Sequence, residues 1–409
     1  VIALVWGSHF IPFIIRIALG VAAPTLMTLY NISPEAMGFV LSGYSWSYMA
    51  GLPLIGFLVD RLGPLLVMGI GSIVWGLATL ALPLATTAVG FFLWRALFGF
   101  GHCMMIPAGA VSIRDWVGSH QRALAVGLIF SGGTIGLAVG SPLASSLLQN
   151  LGWESAFYVG GAASLIFTLL WFTLYPKETP PGRSLAGEEG DEQGAKKIRV
   201  PWLSLLRHRT TWGMAFSQMG YLYVYFFFIT WLPGYLRIER GMTILDTGIV
   251  ASLPFLMGIA GTIGGGWVGD FLIRSGVRKN SARKGMIAGG LMGATVFVVA
   301  AAFTTQTWLA ITLLTLCMGS LRMTTASSNS LSIDLAPKNA LASLASIQSI
   351  GGNTGGLMAP IVTGYIVGAT GSFVGALVFA GAMATFSAFS MLFLVGHIGE
   401  EGDRMVLKS

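Results

Sequence analysis

Apolar residues fall along this chain in long unbroken runs separated by short polar connectors. The hydrocarbon core of a bilayer takes roughly 20 residues of α-helix. Runs near 4–29, 38–58, 65–83, 88–112, 122–148, 155–175, 210–236, 246–272, 284–303, 307–333, 340–367 and 372–396 are about that long or longer. The pattern predicts an all-α membrane protein with twelve transmembrane helices. One connector differs from the rest. From Pro176 to Arg209 it carries Pro180-Pro181-Gly182, the acidic stretch Glu188 to Glu192, and Lys196-Lys197, a composition that cannot bury a core. It divides the chain into an N-terminal six-helix half (1–175), a cytoplasmic linker (176–209), a C-terminal six-helix half (210–396) and a tail (397–409).

Composition agrees with this reading: 54% of the 409 residues are hydrophobic and 10% charged, with a mean hydropathy of +0.76. A net charge of +7 raises nucleic acid as a partner, and the placement of the 23 Lys and Arg removes it. Most of them fall in connectors that the helix map puts on one side. Arg237 and Arg240 fall on the other, and Arg16, Arg95 and Arg322 lie inside predicted helices. By the positive-inside rule, both termini and the linker are cytoplasmic. The basicity therefore reports topology, and the expected surroundings are a lipid bilayer, in the first instance a bacterial inner membrane. Cys103 and Cys317 lie within spans and imply no disulfide framework. The first run carries Arg16 and lacks a basic leader and a small-residue cleavage site, so it is expected to remain as a helix. No phosphate loop, metal cluster or hydrolase triad is present, so neither an enzyme nor a cofactor is expected. The working unit is expected to be a monomer.

Chemistry is concentrated in the few polar groups inside the membrane. Arg16 sits midway along the first run, where a guanidinium costs at least about 2.5 kcal/mol unless it faces water or a partner. The other intramembrane charges, Arg95 and Arg322, are also positive. No carboxylate lies at comparable depth: Asp60, Asp270 and Asp334 map to cytoplasmic helix ends, and Glu35, Glu154, Glu239 and Asp246 to the outer side. Buried cations without a fixed counter-charge point to an anion from solution as the partner. The planar fork of arginine suits a carboxylate or phosphate. For Arg16 the alternative is a structural hydrogen-bond tie. Helical spacing supports a lined site, because His9 with Arg16, and Arg95 with His102, are seven residues apart, nearly two turns. Arg322, Thr325 and Asn329 form one stripe, and Gln218, Tyr221 and Tyr225 another. The Tyr and Phe run from Tyr221 to Phe228 as a whole reads as core and lipid contact rather than a binding box.

Two signatures recur in order. Gly56-x-Leu58-x-Asp60-Arg61-x-Gly63 ends the second run and is echoed by Gly266 to Asp270 at the end of the eighth. Gly133 with Pro142 is matched by Gly351 with Pro360 at the same spacing. This points to a duplicated six-helix unit. The acid and arginine at Asp60-Arg61, and Asp270, are candidates for gating contacts at the cytoplasmic edge.

The Gly56 to Gly63 segment resembles the loop signature of the major facilitator superfamily, with Pro64 where a basic residue is usual. Arg95 to His102 continuing to Pro107-Ala108, Gly152-Trp153-x-x-x-Phe157-Tyr158 and Thr230 to Leu236 are similar to its anion:cation symporter branch. That branch includes vesicular glutamate transporters, sialin, and bacterial galactonate and glucarate transporters. The resemblance implies a major facilitator fold in which helices 1, 4, 7 and 10 line a central cavity. It implies that Arg16 binds the substrate anion, with Arg322 standing where sugar-acid members carry a lysine. Tyr48 and Asn353 match substrate contacts, and Arg95 belongs to a motif with a structural or gating role. Two positions depart from proton-linked members, which carry acids where this chain has Ile15 and His102. The usual carboxylate couplers are thus missing, which leaves uniport or exchange open beside proton symport; His102, the centrally placed side chain whose unperturbed pKa of about 6.5 lies near neutrality, is the candidate for proton coupling and for substrate binding. The expected function is secondary transport of a small organic anion, a carboxylate, by alternating access, with proton symport or else exchange or uniport of a carboxylate, organic phosphate or other anion.

Overall fold

The computed structural model describes residues 1–118, 121–176, 205–335 and 341–396, and their regular structure is helical throughout. In chain order the helices are α1 (Ile2–Leu29), α2 (Pro34–Ala81), α3 (Ala88–His102), α4 (Met105–Trp116), α5 (Arg122–Leu151), α6 (Trp153–Leu174), α7 (Arg209–Thr230), α8 (Leu232–Ile238), α9 (Ile244–Arg274), α10 (Lys279–Phe303), α11 (Thr307–Leu335), α12 (Leu341–Thr370) and α13 (Val374–Phe389). Most of the expected linker, residues 177–204, lies outside the described residues, as do Lys338 and the whole tail at 397–409. Among the described residues nine helices are long and apolar enough to cross a membrane by length and composition. The set is consistent with twelve spans once three features are taken into account.

First, α2 covers both the second and third predicted runs. It is interrupted at Gly63, whose φ of 75° and ψ of 165° are non-helical. A side chain resists that positive φ and glycine does not. Pro64 adds to the break by disfavouring the α conformation in the residue before it. Second, the fourth run is two helices, α3 and α4, separated at Cys103-Met104. Pro107 falls in the first turn of α4, where a missing N–H costs nothing because no intrahelical partner exists for it. Third, α7 and α8 break at Trp231, and Pro233 again occupies the first turn of the following helix. Helix starts are capped where the connectors are polar: the Ala36 amide donates to Ser33 Oγ at 3.3 Å, and the Gly90 amide to Thr87 Oγ1 at 3.2 Å.

Contacts divide the chain into two compact units, Val1–Lys196 with Leu232–Ser252, and Lys197–Trp231 with Leu253–Ser409. In the first, α2 packs along α3 and α1 along α5. In hydrocarbon no hydrophobic force drives helices together, so association relies on close backbone approach. Gly99 on α3 shows why this matters here, since a Cβ at that position would collide with the Tyr44 carbonyl of α2. In the second unit α7 packs along α12, and α10 along α11 and α13. A π-helical turn, Ser390–Leu394, follows α13, and the Lys284 amine of α10 donates to the Val395 carbonyl just beyond it.

Candidate functional site

In the first unit, α1, α2 and α3 bring Arg16, Tyr44, Tyr48, Arg95 and His102 together, each buried. Arg16 is 5% exposed, and its guanidinium lies 4.2 Å from the centre of the Tyr44 ring and 5.4 Å from that of Phe13. A cation over an aromatic face is worth about 2 kcal/mol or more when desolvated. Arg95 ties α3 to α1, its Nη2 donating to the Arg16 carbonyl at 3.1 Å, with its own cation 5.7 Å from Tyr44 and 5.4 Å from Phe98. The Tyr44 hydroxyl and His102 Nδ1 share a hydrogen bond of 2.9 Å, and the His102 ring lies parallel to Phe98 at 5.8 Å. Tyr48 stacks on Tyr44 at 5.4 Å and lies 6.1 Å from His102.

Two guanidinium groups and an imidazole are therefore gathered around one tyrosine. Neither α1 nor α3 contains an Asp or Glu. His102 Nε2 and Arg95 Nε are buried without a hydrogen-bond partner among the described residues. An unsatisfied buried donor costs roughly 1–3 kcal/mol, more when charged. Such a cluster is electrostatically incomplete without an anion.

Sequence spacing anticipated most of these residues and missed Tyr44. The available signal was that it precedes Tyr48 by four residues and so shares its helical face. His9, the same distance from Arg16 as His102 from Arg95, bonds to its own helix through Nδ1 and the Val5 carbonyl at 3.0 Å.

In the second unit Arg322 Nη1 donates to the Tyr221 hydroxyl at 2.9 Å, and its guanidinium lies 5.6 Å from the Tyr225 ring. Tyr221 also bonds to Thr325 Oγ1 at 3.3 Å, so this member of the aromatic run is a hydrogen-bond partner of Arg322 rather than plain core, and Tyr225 offers the cation its ring. Arg322 Nε is buried with no hydrogen-bond partner among the described residues. Asn329 is exposed, and the Asn353 amide donates within its own helix to the Ser349 carbonyl at 2.9 Å.

At the predicted gating positions Asp60 and Asp270 are exposed, and Arg61 rests over the Phe57 ring of its own helix at 4.6 Å. An ionic tie is found instead at Asp334 on α11, which pairs with Lys279 at 3.1 Å and with Arg283, both on α10.

Residues 5–279 match the profile of the Major Facilitator Superfamily. The D-galactonate transporter of Escherichia coli O6:H1 is 31% identical over 95% of this chain and 94% of its own length. The probable L-galactonate transporter of Escherichia coli K12 is 30% identical over 96% of this chain and 88% of its own. Among solved structures, a bacterial homolog of the human lysosomal transporter Spinster, inward-facing and unoccupied, superposes with a TM-score of 0.75 at 17% identity, covering 100% of this chain and 97% of that one.

Proposed function

Since the chain belongs to the Major Facilitator Superfamily, whose members are membrane transporters and not enzymes, we propose that it carries a small hydroxylated carboxylate of the galactonate type across a bacterial inner membrane by alternating access. In this reading the two six-helix halves are the moving bodies, with both termini and the linker on the cytoplasmic side. The observation that carries it is the Arg16–Tyr44–His102 cluster, where buried positive and neutral donors converge and where neither α1 nor α3 holds a carboxylate.

A substrate carboxylate binds Arg16 through the two-pronged fork of its guanidinium, whose cation lies 4.2 Å from the centre of the Tyr44 ring. Arg95 holds the turn of α1 from which Arg16 projects. The ligand's negative charge favours a proton on His102, and the neighbouring arginines oppose one in its absence. With Tyr44 donating to Nδ1, protonation there makes the hydroxyl turn and accept. Substrate and proton then bind cooperatively, each strengthening the other by the same factor, which is the requirement for symport. Within the first unit Tyr48, stacked on Tyr44, is a contact to the sugar-like body; within the second, Arg322 supported by Tyr221 is a carboxylate or hydroxyl partner.

Exchange without protons is the second reading, favoured by Ile15, an apolar residue that packs against Gly160 on α6. Purified protein warmed with D-galactonate, L-galactonate or glucuronate tests the site, because a ligand that binds only the folded state raises its melting temperature. The expected result is a shift in wild type that is lost in folded Arg16→Ala. An equal shift in both proteins would remove Arg16 from the site. Acceleration of uptake by internal substrate, with no response to a proton gradient, would select exchange.

A further inference from the structure

We infer that the outer ends of α1 and α8 form a second anion subsite, with Arg237 as its cation and a small oxyanion (carboxylate, sulfonate or phosphate) as its ligand. The inference rests on the proposed orientation and on anion transport as the function. A cavity of about 380 Å³ is lined by Pro24, Met27, Thr28, Ile32, Arg237 and Ile238, all of the first unit. Among the described residues that line it, Arg237 is the one that carries a charge. Its Nη1 donates to Thr25 Oγ1 at 3.2 Å, which pins the half-buried guanidinium against α1. That bond engages one of five N–H donors. The Thr28 hydroxyl donates to the Pro24 carbonyl at 3.1 Å and so turns lone pairs, not a proton, outward. Pro24, Met27, Ile32 and Ile238 are apolar, so the donors an anion meets here come from Arg237.

Topology supplies an independent reason to give that arginine a task. Cations on the outer side run against the positive-inside bias, and the helix map places two there, Arg237 and Arg240. Arg240 is held by Tyr235, with Nε donating to the hydroxyl at 2.7 Å and the cation 5.3 Å from the ring. Arg237 instead faces a cavity. Pro24 and Thr28 follow Arg16 on α1 by eight and twelve residues, about 12–18 Å of helix axis. An anion held at Arg237 is therefore two to three turns from the central cluster, where it raises the local supply of substrate.

A cysteine at Thr28, an exposed position in the lining, reports on the site in the full-length purified protein; Cys103 and Cys317 are buried. The rate of modification by the anionic methanethiosulfonate ethylsulfonate is compared with that by its cationic trimethylammonium counterpart. In detergent free of phospholipid, Arg237→Gln should lower the anionic-to-cationic ratio at least about tenfold, and inorganic phosphate should slow modification when Arg237 is present. Met27→Cys gives a second position should Thr28→Cys fail to fold. A ratio unmoved by Arg237→Gln at either position overturns the subsite. A preference for the anionic reagent in detergent that disappears in phosphatidylglycerol vesicles overturns capture of a dissolved anion, because a lipid headgroup then fills the site. Modification only from the cytoplasmic face overturns the outer placement. Since no readout requires transport or Arg16, failure of the central site and failure of this one give different results.

Discussion

Tyr44 touches Arg16, Arg95 and His102, and so lets their contributions be separated by substitution. Arg16→Lys keeps a charge and loses the two-pronged fork, and uptake should fall at least tenfold, which corresponds to about 1.4 kcal/mol. Arg322→Lys should be milder, because the Tyr221 hydroxyl is one acceptor that an ammonium can also reach, and the Tyr225 ring can face either cation. His102→Gln should retain exchange and lose accumulation driven by an inward proton gradient; a glutamine variant that still concentrates substrate like wild type would take His102 out of the coupling step. Tyr44→Phe preserves the ring beneath the guanidinium and deletes the hydroxyl, so binding should survive while the pH dependence of uptake moves toward that of His102→Gln. Loss of binding in Tyr44→Phe would instead place the hydroxyl on the substrate.

Between helices, the α2–α3 seam sets whether those side chains meet at all. Gly99 lies against the Tyr44 carbonyl, whereas a Cβ at Gly127 on α5 would meet no atom of the described residues within 4 Å. Gly99→Ala should therefore cost about 1–3 kcal/mol by overpacking and weaken ligand binding. Gly127→Ala should be neutral or stabilising by up to about 1 kcal/mol, since alanine is the better helix former. Melting temperatures of the two variants, with and without D-galactonate, check the contrast. The breaks at Cys103-Met104 and Trp231 belong to the same scale. Neither is visible in hydropathy, because the apolar run continues through both; at each break the amides still bond back to the preceding turn, Cys103 to the Gly99 carbonyl, Met104 to that of Gly101 and Trp231 to that of Phe227.

For the whole molecule, the distribution of Lys and Arg predicts that the connector at Gly118 is cytoplasmic and the one at Gly241 is outside. Fluorescent protein fused after Gly118 and alkaline phosphatase fused after Gly241 should both be active, and the reverse pattern would invert the proposed orientation. If Asp60 helps to hold one gating state, Asp60→Asn should lengthen spin-label distances across the cytoplasmic face; an unchanged distribution would leave the residue a topological marker. The sequence by itself determined that the chain crosses a bilayer as helices, since backbone groups in hydrocarbon must be satisfied within each helix and long apolar runs announce this locally. It also determined that Arg16, Arg95 and Arg322 require explanation, because a charge within such a run is costly wherever its neighbours lie. Tertiary structure alone decided that Tyr44 is the ring under Arg16 and the partner of His102, that Asn353 turns back on its own helix, and that Leu232–Ser252 cluster with the first unit. Helical spacing specifies which residues share a face, and which neighbour that face meets depends on the rotation and close approach of helices distant in sequence.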